Sequence, residues 1–135
     1  MNFIQYGSAL LRYGRDRGDD IMAGEASFIE IGVPSGSRAR DFYQALFGWT
    51  PRPMGHDNFA METPTVGVGV HSGDDDACMV VYFAVGDIDA AVARVRELGG
   101  KADEPGAETP GFGRFVECRD PQNVRFGLRQ PPGRP

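Results

Sequence analysis

The sequence predicts an α+β domain built from two successive βαβββ modules, and three observations predict it. Two segments, Ser27 to Val33 and Cys78 to Val85, alternate their apolar side chains with period two. Each leads into an amphipathic stretch that stops at glycine, ARDFYQALFGW at residues 39–49 and AAVARVRELGG at residues 90–100. Each of those is followed by short strand-like runs separated by Pro, Gly, Asn and Asp. Val33 to Gly48 is fifteen steps and Val85 to Gly99 is fourteen, so the two copies agree to one residue. Either half is too small to close a core alone, and two halves side by side complete one sheet.

The elements follow in order. In SFIEIGV, Ile29, Ile31 and Val33 share one face and Phe28, Glu30 and Gly32 the other. Ser35 or Ser37 can cap the next helix, where Ala39, Phe42, Tyr43 and Leu46 recur at three- and four-residue spacing and Gly48 ends the run. After Pro51 and Pro53, strands are expected over about Asn58 to Thr63 and Val66 to His71. In the second module Val81, Phe83 and Val85 alternate with Val80, Tyr82 and Ala84. Asp87 caps a helix with Ile88, Ala91, Val92, Val95 and Leu98 on one stripe, closed by Gly99 and Gly100. Three strands complete it, about Lys101 to Ala107, Arg114 to Arg119 and Val124 to Arg129, parted by the PGFG and DPQN turns. The modules span about residues 25–73 and 77–130, within one domain of 25–130. Residues 1–24 read as an N-terminal tail that need not be ordered, with a helical pattern only around Ser8 to Tyr13, and Met22 is a second candidate start. Residues 131–135 are a C-terminal tail.

A chain of 135 residues and 14.7 kDa is one domain with enough length for a core. The net charge of −5 and a pI near 4.9 argue against nucleic acid or an anionic membrane as partner. No apolar stretch approaches the roughly 18 residues that a helical membrane span needs. The N-terminus has no basic n-region and no sustained apolar run, so it is a poor secretory signal. Cys78 and Cys118 have neither CxxC nor zinc spacing and read as reduced thiols of a cytoplasmic protein.

Three runs, DFYQALFGW, YFAVGDIDAAVARVRELGG and GFGRFVECRDPQNVRFGLRQ, resemble in their order the vicinal oxygen chelate superfamily of glyoxalases, bleomycin-resistance proteins and extradiol dioxygenases. The resemblance covers roughly residues 25–130. It implies paired βαβββ modules in a curved, open, glyoxalase-like sheet whose concave groove binds the ligand. It also implies a divalent metal held by His and Glu on four strands. Carried over, those positions fall on Phe28, on Val80, on Gly127 and, in a less certain register, near Gly69. Phe28, Val80 and Gly127 cannot ligate, so the expectation is a member without the family metal and with no other cofactor.

If Phe28 faces the groove, strand parity places Glu30 there too, Tyr82 beside Val80, and Arg125 and Arg129 beside Gly127. His71 shares parity with Gly67 and Gly69, and either faces the groove or ends its strand in solvent. His56, in a Gly-His-Asp turn, reads as a surface residue. The opposite faces, Ile29, Ile31, Val33, Val81, Phe83, Val85, Phe126 and Leu128, are apolar and are expected to meet the helices. Trp49 fits core or groove wall equally. The candidate ligand-binding set is therefore Phe28, Glu30, Trp49, His71, Tyr82, Arg125 and Arg129, aromatics with a few polar groups. Glu30 is the candidate general base, or else it pairs with Arg125 or Arg129 as a structural ion pair. No nucleophile motif or phosphate loop is present, and PGFGRF is too short for a dinucleotide fingerprint.

The expected function is binding of a small organic molecule, for sequestration or carriage, by a homodimer. The alternatives are a glyoxalase-type lyase, isomerase or dioxygenase, and a non-catalytic dimerisation module.

Overall fold

The computed structural model describes residues 23–133; the tail expected over residues 1–24 lies outside them up to Met22. The first module is β1 (Ala23–Gly32), α1 (Gly36–Phe47), β2 (Thr50–Gly55), β3 (Asn58–Glu62) and β4 (Gly67–His71). The second is β5 (Cys78–Val85), α2 (Ile88–Glu97), β6 (Lys101–Ala102), β7 (Arg114–Arg119) and β8 (Arg125–Gln130). Together they form one eight-stranded mixed sheet in the order β2-β3-β4-β1-β5-β8-β7-β6. Each module pairs its first strand in parallel with its last, β1 with β4 and β5 with β8. The antiparallel pair β1–β5 joins the halves. The duplication seen in the sequence is thus a near-symmetry of the sheet about that central pair.

Local chemistry sets the helix ends. The side chain of Ser35, not Ser37, accepts the Arg38 N–H as N-cap of α1, and Gly48 in the left-handed region returns its N–H to Gln44 O at 2.8 Å. Asp87 caps α2 through Ala90 N at 3.1 Å, and Gln130 Oε1 takes the Ile88 N–H at 2.9 Å. That second bond ties the start of α2 to the end of β8.

There are two cores, one beneath each helix. The first is Ile31, Ala39, Phe59, Met61, Val68 and Val70; the second is Ile88, Val92, Val116, Cys118 and Leu128. Ile88 and Met61, 0% and 2% exposed, each contribute about 1.5–3 kcal/mol by leaving water.

Four expectations need correction. The two strands expected after Pro51 and Pro53 are β3 and β4, but a further strand, β2, precedes them and contains both prolines. That strand is at the sheet edge, where a missing N–H costs no ladder bond. The strand expected over Lys101–Ala107 stops at Ala102, and the DEPGAE run that follows carries a proline and a glycine. The helical stripe is only partly buried: Ala39 is in the core, whereas Phe42 and Leu46 are 58% and 57% exposed. Finally, Val81 and Phe83 belong to neither core, and the more buried side chains of β5 are Val80, Tyr82 and Ala84. The cause is the layout, because α1 packs mainly on β2–β4 and α2 on β6–β8, leaving β5 little cover on its helix side.

Candidate functional site

The sheet face opposite the helices carries a groove of about 970 Å3. Strand registers place its residues. Phe28 pairs with Gly67 on β4 and with Tyr82 on β5; Tyr82 in turn pairs with Gly127 on β8. One step along, Glu30 pairs with Gly69 and with Val80. On the opposite side of that row Arg129 pairs with Ala84 and with Phe115.

Two glycines make room for two rings. A Cβ on Gly69 would stand 2.7 Å from Cζ of Phe28, and one on Gly127 would stand 2.1 Å from Cδ2 of Tyr82. Phe28 and Tyr82 therefore lie over bare backbone and pave the two halves of the groove. Phe28 meets Phe112 edge-on at 4.9 Å and Tyr82 at 6.1 Å, while Phe115 stands 5.5 Å from Phe112 and 6.1 Å from Tyr82. Edge-to-face rings at such distances hold one another in place.

The polar groups stand at the margins of this aromatic floor. The Tyr82 hydroxyl donates to Glu30 Oε2 at 3.2 Å. Burial, and then the Glu30 charge beside it, raises the Tyr82 pKa well above its usual value, so the phenol is a neutral donor. Arg129 donates from Nε to Phe112 O at 3.0 Å and from Nη1 to Ser27 Oγ at 3.0 Å, and its guanidinium stacks 4.2 Å from the Phe112 ring. Burial lowers its pKa.

Of the residues expected in the groove, Phe28, Glu30, His71, Tyr82 and Arg129 line it. Trp49 does not. It stacks on Tyr43 at 5.5 Å and lies tilted against Phe47 at 4.9 Å beside the first core, because Gly48 turns the chain back along α1. Arg125 lies on the same sheet face beyond the groove, where it meets Glu117 at 3.7 Å and touches the Cys78 sulfur. With Arg125 and Arg129 so engaged, the ion pair weighed for Glu30 is not formed among the described residues. Sequence reasoning missed Phe112, Phe115 and Arg52, which also line the groove. The signal for Phe112 was the PGFG turn, which presents one aromatic between two glycines at positive φ.

This sheet of paired βαβββ modules with a groove on its open face defines a protein of the vicinal oxygen chelate superfamily. The glyoxalase-like domain family matches residues 29–129, and the chain belongs to that family. It is 29% identical over 127 residues to the anthracycline biosynthesis protein DauV of Streptomyces sp. (strain C5), covering 78% of this chain and 46% of that protein. The chain thus spans less than half the length of that relative. Two solved structures share the fold. Homoprotocatechuate 2,3-dioxygenase of Brevibacterium fuscum, as its H200E variant, has a TM-score of 0.69 at 17% identity, over 84% of this chain and 34% of that one. Methylmalonyl-CoA epimerase of Mycobacterium tuberculosis has 0.67 at 15% identity, over 89% and 96%.

The superfamily's metal does not fit these residues. Phe28, Val80, Gly127 and Gly69 carry no nitrogen or oxygen side-chain donor, and the Phe28 and Tyr82 rings lie directly over Gly69 and Gly127. Among the described residues no group of three or more His, Cys, Asp or Glu is placed to hold an ion.

Proposed function

We propose that this protein binds a small organic molecule in the groove and sequesters or carries it, with no metal at the superfamily's ligand positions. The observation that carries this reading is the paving of the groove by Phe28 and Tyr82, which replaces donors with aromatic surface. Such a floor, with Glu30 and Arg129 at its margins, suits recognition of an apolar body with a few polar groups. The relative named for anthracycline biosynthesis supports an aromatic ligand. The protein acts as a homodimer in the cytoplasm, with no nucleic acid or membrane partner; its free thiols Cys78 and Cys118 and its net charge of −5 favour this.

Two measurements on purified protein test the reading. Elemental analysis should find no stoichiometric Zn, Ni, Mn or Fe, and about one equivalent held in the groove would overturn it. A screen of aromatic compounds should raise the melting temperature, as any ligand of the native state must. A screen with no such shift would favour the dimerisation module instead.

A second reading has its own observation. The Glu30 carboxylate is hydrogen-bonded by a neutral phenol inside the groove, and it would supply the general base of a lyase or isomerase. Turnover of any groove ligand, lost in Glu30→Gln, would establish it.

A further inference from the structure

Glu30 and Arg129 stand on opposite sides of the Phe28–Tyr82–Gly127 row, while Arg52, Glu62 and His71 line the groove's β2–β4 flank. Glu30 takes one hydrogen bond, from Tyr82, on Oε2; its Oε1 has no partner among the described residues. Arg129 spends Nε and Nη1 on Phe112 O, Ser27 O and Ser27 Oγ, all neutral oxygens, and its Nη2 has no partner among the described residues. A partly buried guanidinium facing only neutral acceptors retains much of its desolvation cost, which an anion would offset. Stacking on Phe112 and the bonds to Ser27 fix its plane in advance. Burial already depresses its pKa, as expected of a cation held without a counter-charge.

The spacing of the two groups sets the shape of what can touch both. β1 is antiparallel to β5 and β5 is parallel to β8, so Glu30 and Arg129 lead away from the Phe28–Tyr82–Gly127 row in opposite directions. At the backbone they are two strands and about four residues apart, but the Arg129 side chain reaches back across β5 to Ser27 on β1, so its guanidinium stands three residues, roughly 10 Å, from Glu30 along that strand. The ground between them is aromatic, from Phe112 through Phe28 to Tyr82.

We infer that the ligand is an elongated, planar aromatic molecule with a carboxylate or similarly acidic oxygen at one end, received by Arg129, and a hydroxyl or amine at the other, donated to Glu30. The inference rests on the groove being a small-molecule site, as proposed above. The flat body lies along the aromatic floor, and the two ends fix its direction. A ligand reversed in the groove would set its anion against Glu30, so the charges also dictate orientation.

The test uses 6-hydroxy-2-naphthoate, a rigid fluorescent probe with a carboxylate and a hydroxyl at opposite ends. It is titrated against the full chain beside its methyl ester, 2-naphthoate and 2-naphthol. The acid should bind about tenfold or more tightly than the ester, the factor expected for one charge-assisted hydrogen bond. Arg129→Gln should abolish that difference, and 2-naphthoate should bind more weakly than the hydroxylated acid. Arg129 also holds the Phe112 turn, so the acid–ester comparison on the unaltered protein decides by itself if the variant folds poorly. An ester or naphthol that binds as tightly as the acid overturns the ligand class while leaving the groove a small-molecule site. If none of the four binds at millimolar concentration, both the class and the groove reading fall.

Discussion

Glu30 sits between Ile29 and Ile31 on β1, and the Tyr82 hydroxyl is its one protein donor among the described residues. A carboxylate so placed relies on water or ligand for the rest of its solvation. Replacing it with glutamine keeps the shape and an acceptor for Tyr82 but removes the charge. Glu30→Gln should therefore weaken ligand binding by about 1–3 kcal/mol, the cost of a lost charged hydrogen bond, and leave the melting temperature nearly unchanged. Titration and thermal unfolding of this one variant check it, and a lower melting temperature with intact affinity would make Glu30 a structural residue. Gly127 offers a sharper test of the groove floor. A methyl group there meets the Tyr82 ring, so Gly127→Ala should cost about 1–3 kcal/mol of stability, as overpacking does. In a Tyr82→Ala background the same change should cost far less, since the obstructing ring is gone. A double-mutant cycle by denaturant unfolding measures that coupling, and additive costs would mean the ring does not rest on Gly127.

Asp57 shows how one turn fastens two elements. The β2–β3 hairpin turns through His56 and Asp57, both at positive φ, the geometry of a tight two-residue turn. That turn brings the Asp57 carboxylate to the start of α1, where it accepts Gly36 N–H at 2.9 Å and the Ser72 hydroxyl at 3.3 Å. Partial desolvation is the largest single influence and raises the Asp57 pKa; the hydrogen bonds from Ser37, Gly36 and Ser72 together outweigh it, so the group ends below its ordinary 3.8. A depressed carboxylate stabilises the fold fully above 3.8, and that contribution is lost as pH falls through the lower folded value. Asp57→Asn should thus melt at a lower temperature near neutrality, with the gap to the parent closing in acid. Melting curves across pH check this, and a gap constant with pH would contradict it. This contact also marks what a sequence can and cannot disclose. Both helices, their caps and most strands were legible because period-two and period-3.6 patterns and cap residues act within a few positions. Phe28, Glu30 and Tyr82 followed from parity along single strands. Trp49 did not, because a residue just past a helix carries no parity and its place depends on the turn at Gly48. Phe112 escaped because the loop that delivers it is positioned by Arg129, a contact distant in sequence. Phe115 escaped because its strand, β7, is set on the groove face only by pairing with Arg129 on β8. Val81 and Phe83 looked like core because alternation identifies a face without saying what covers it.

What covers that face is a question for the assembled molecule. Exposed strand edges are the usual reason for a sheet of this kind to pair with a second copy, yet both edges of this sheet are poor templates. β2 carries Pro51 and Pro53, and β6 is two residues long; prolines and brevity are how natural sheets discourage edge pairing. The unprotected surface lies instead at the centre, between the helices. There Met79 and Val124 are 58% exposed, and Val81, Phe83 and Phe126 are half-buried, with Phe83 and Phe126 rings 6.4 Å apart. None of these side chains is charged, so a chain carrying −5 overall can meet its like there without close repulsion. An isologous twofold contact sets this same uncharged apolar patch of each protomer against the other, about an axis lying between the two sheets. The dimer is therefore expected to form back to back across the β1–β5 seam, leaving both grooves open outward. Sedimentation at micromolar concentration should give a dimer, and Met79→Lys together with Phe83→Lys should give a monomer that still binds groove ligands. A monomeric parent would refute the dimer outright, and a double variant that stays dimeric would move the contact to another surface.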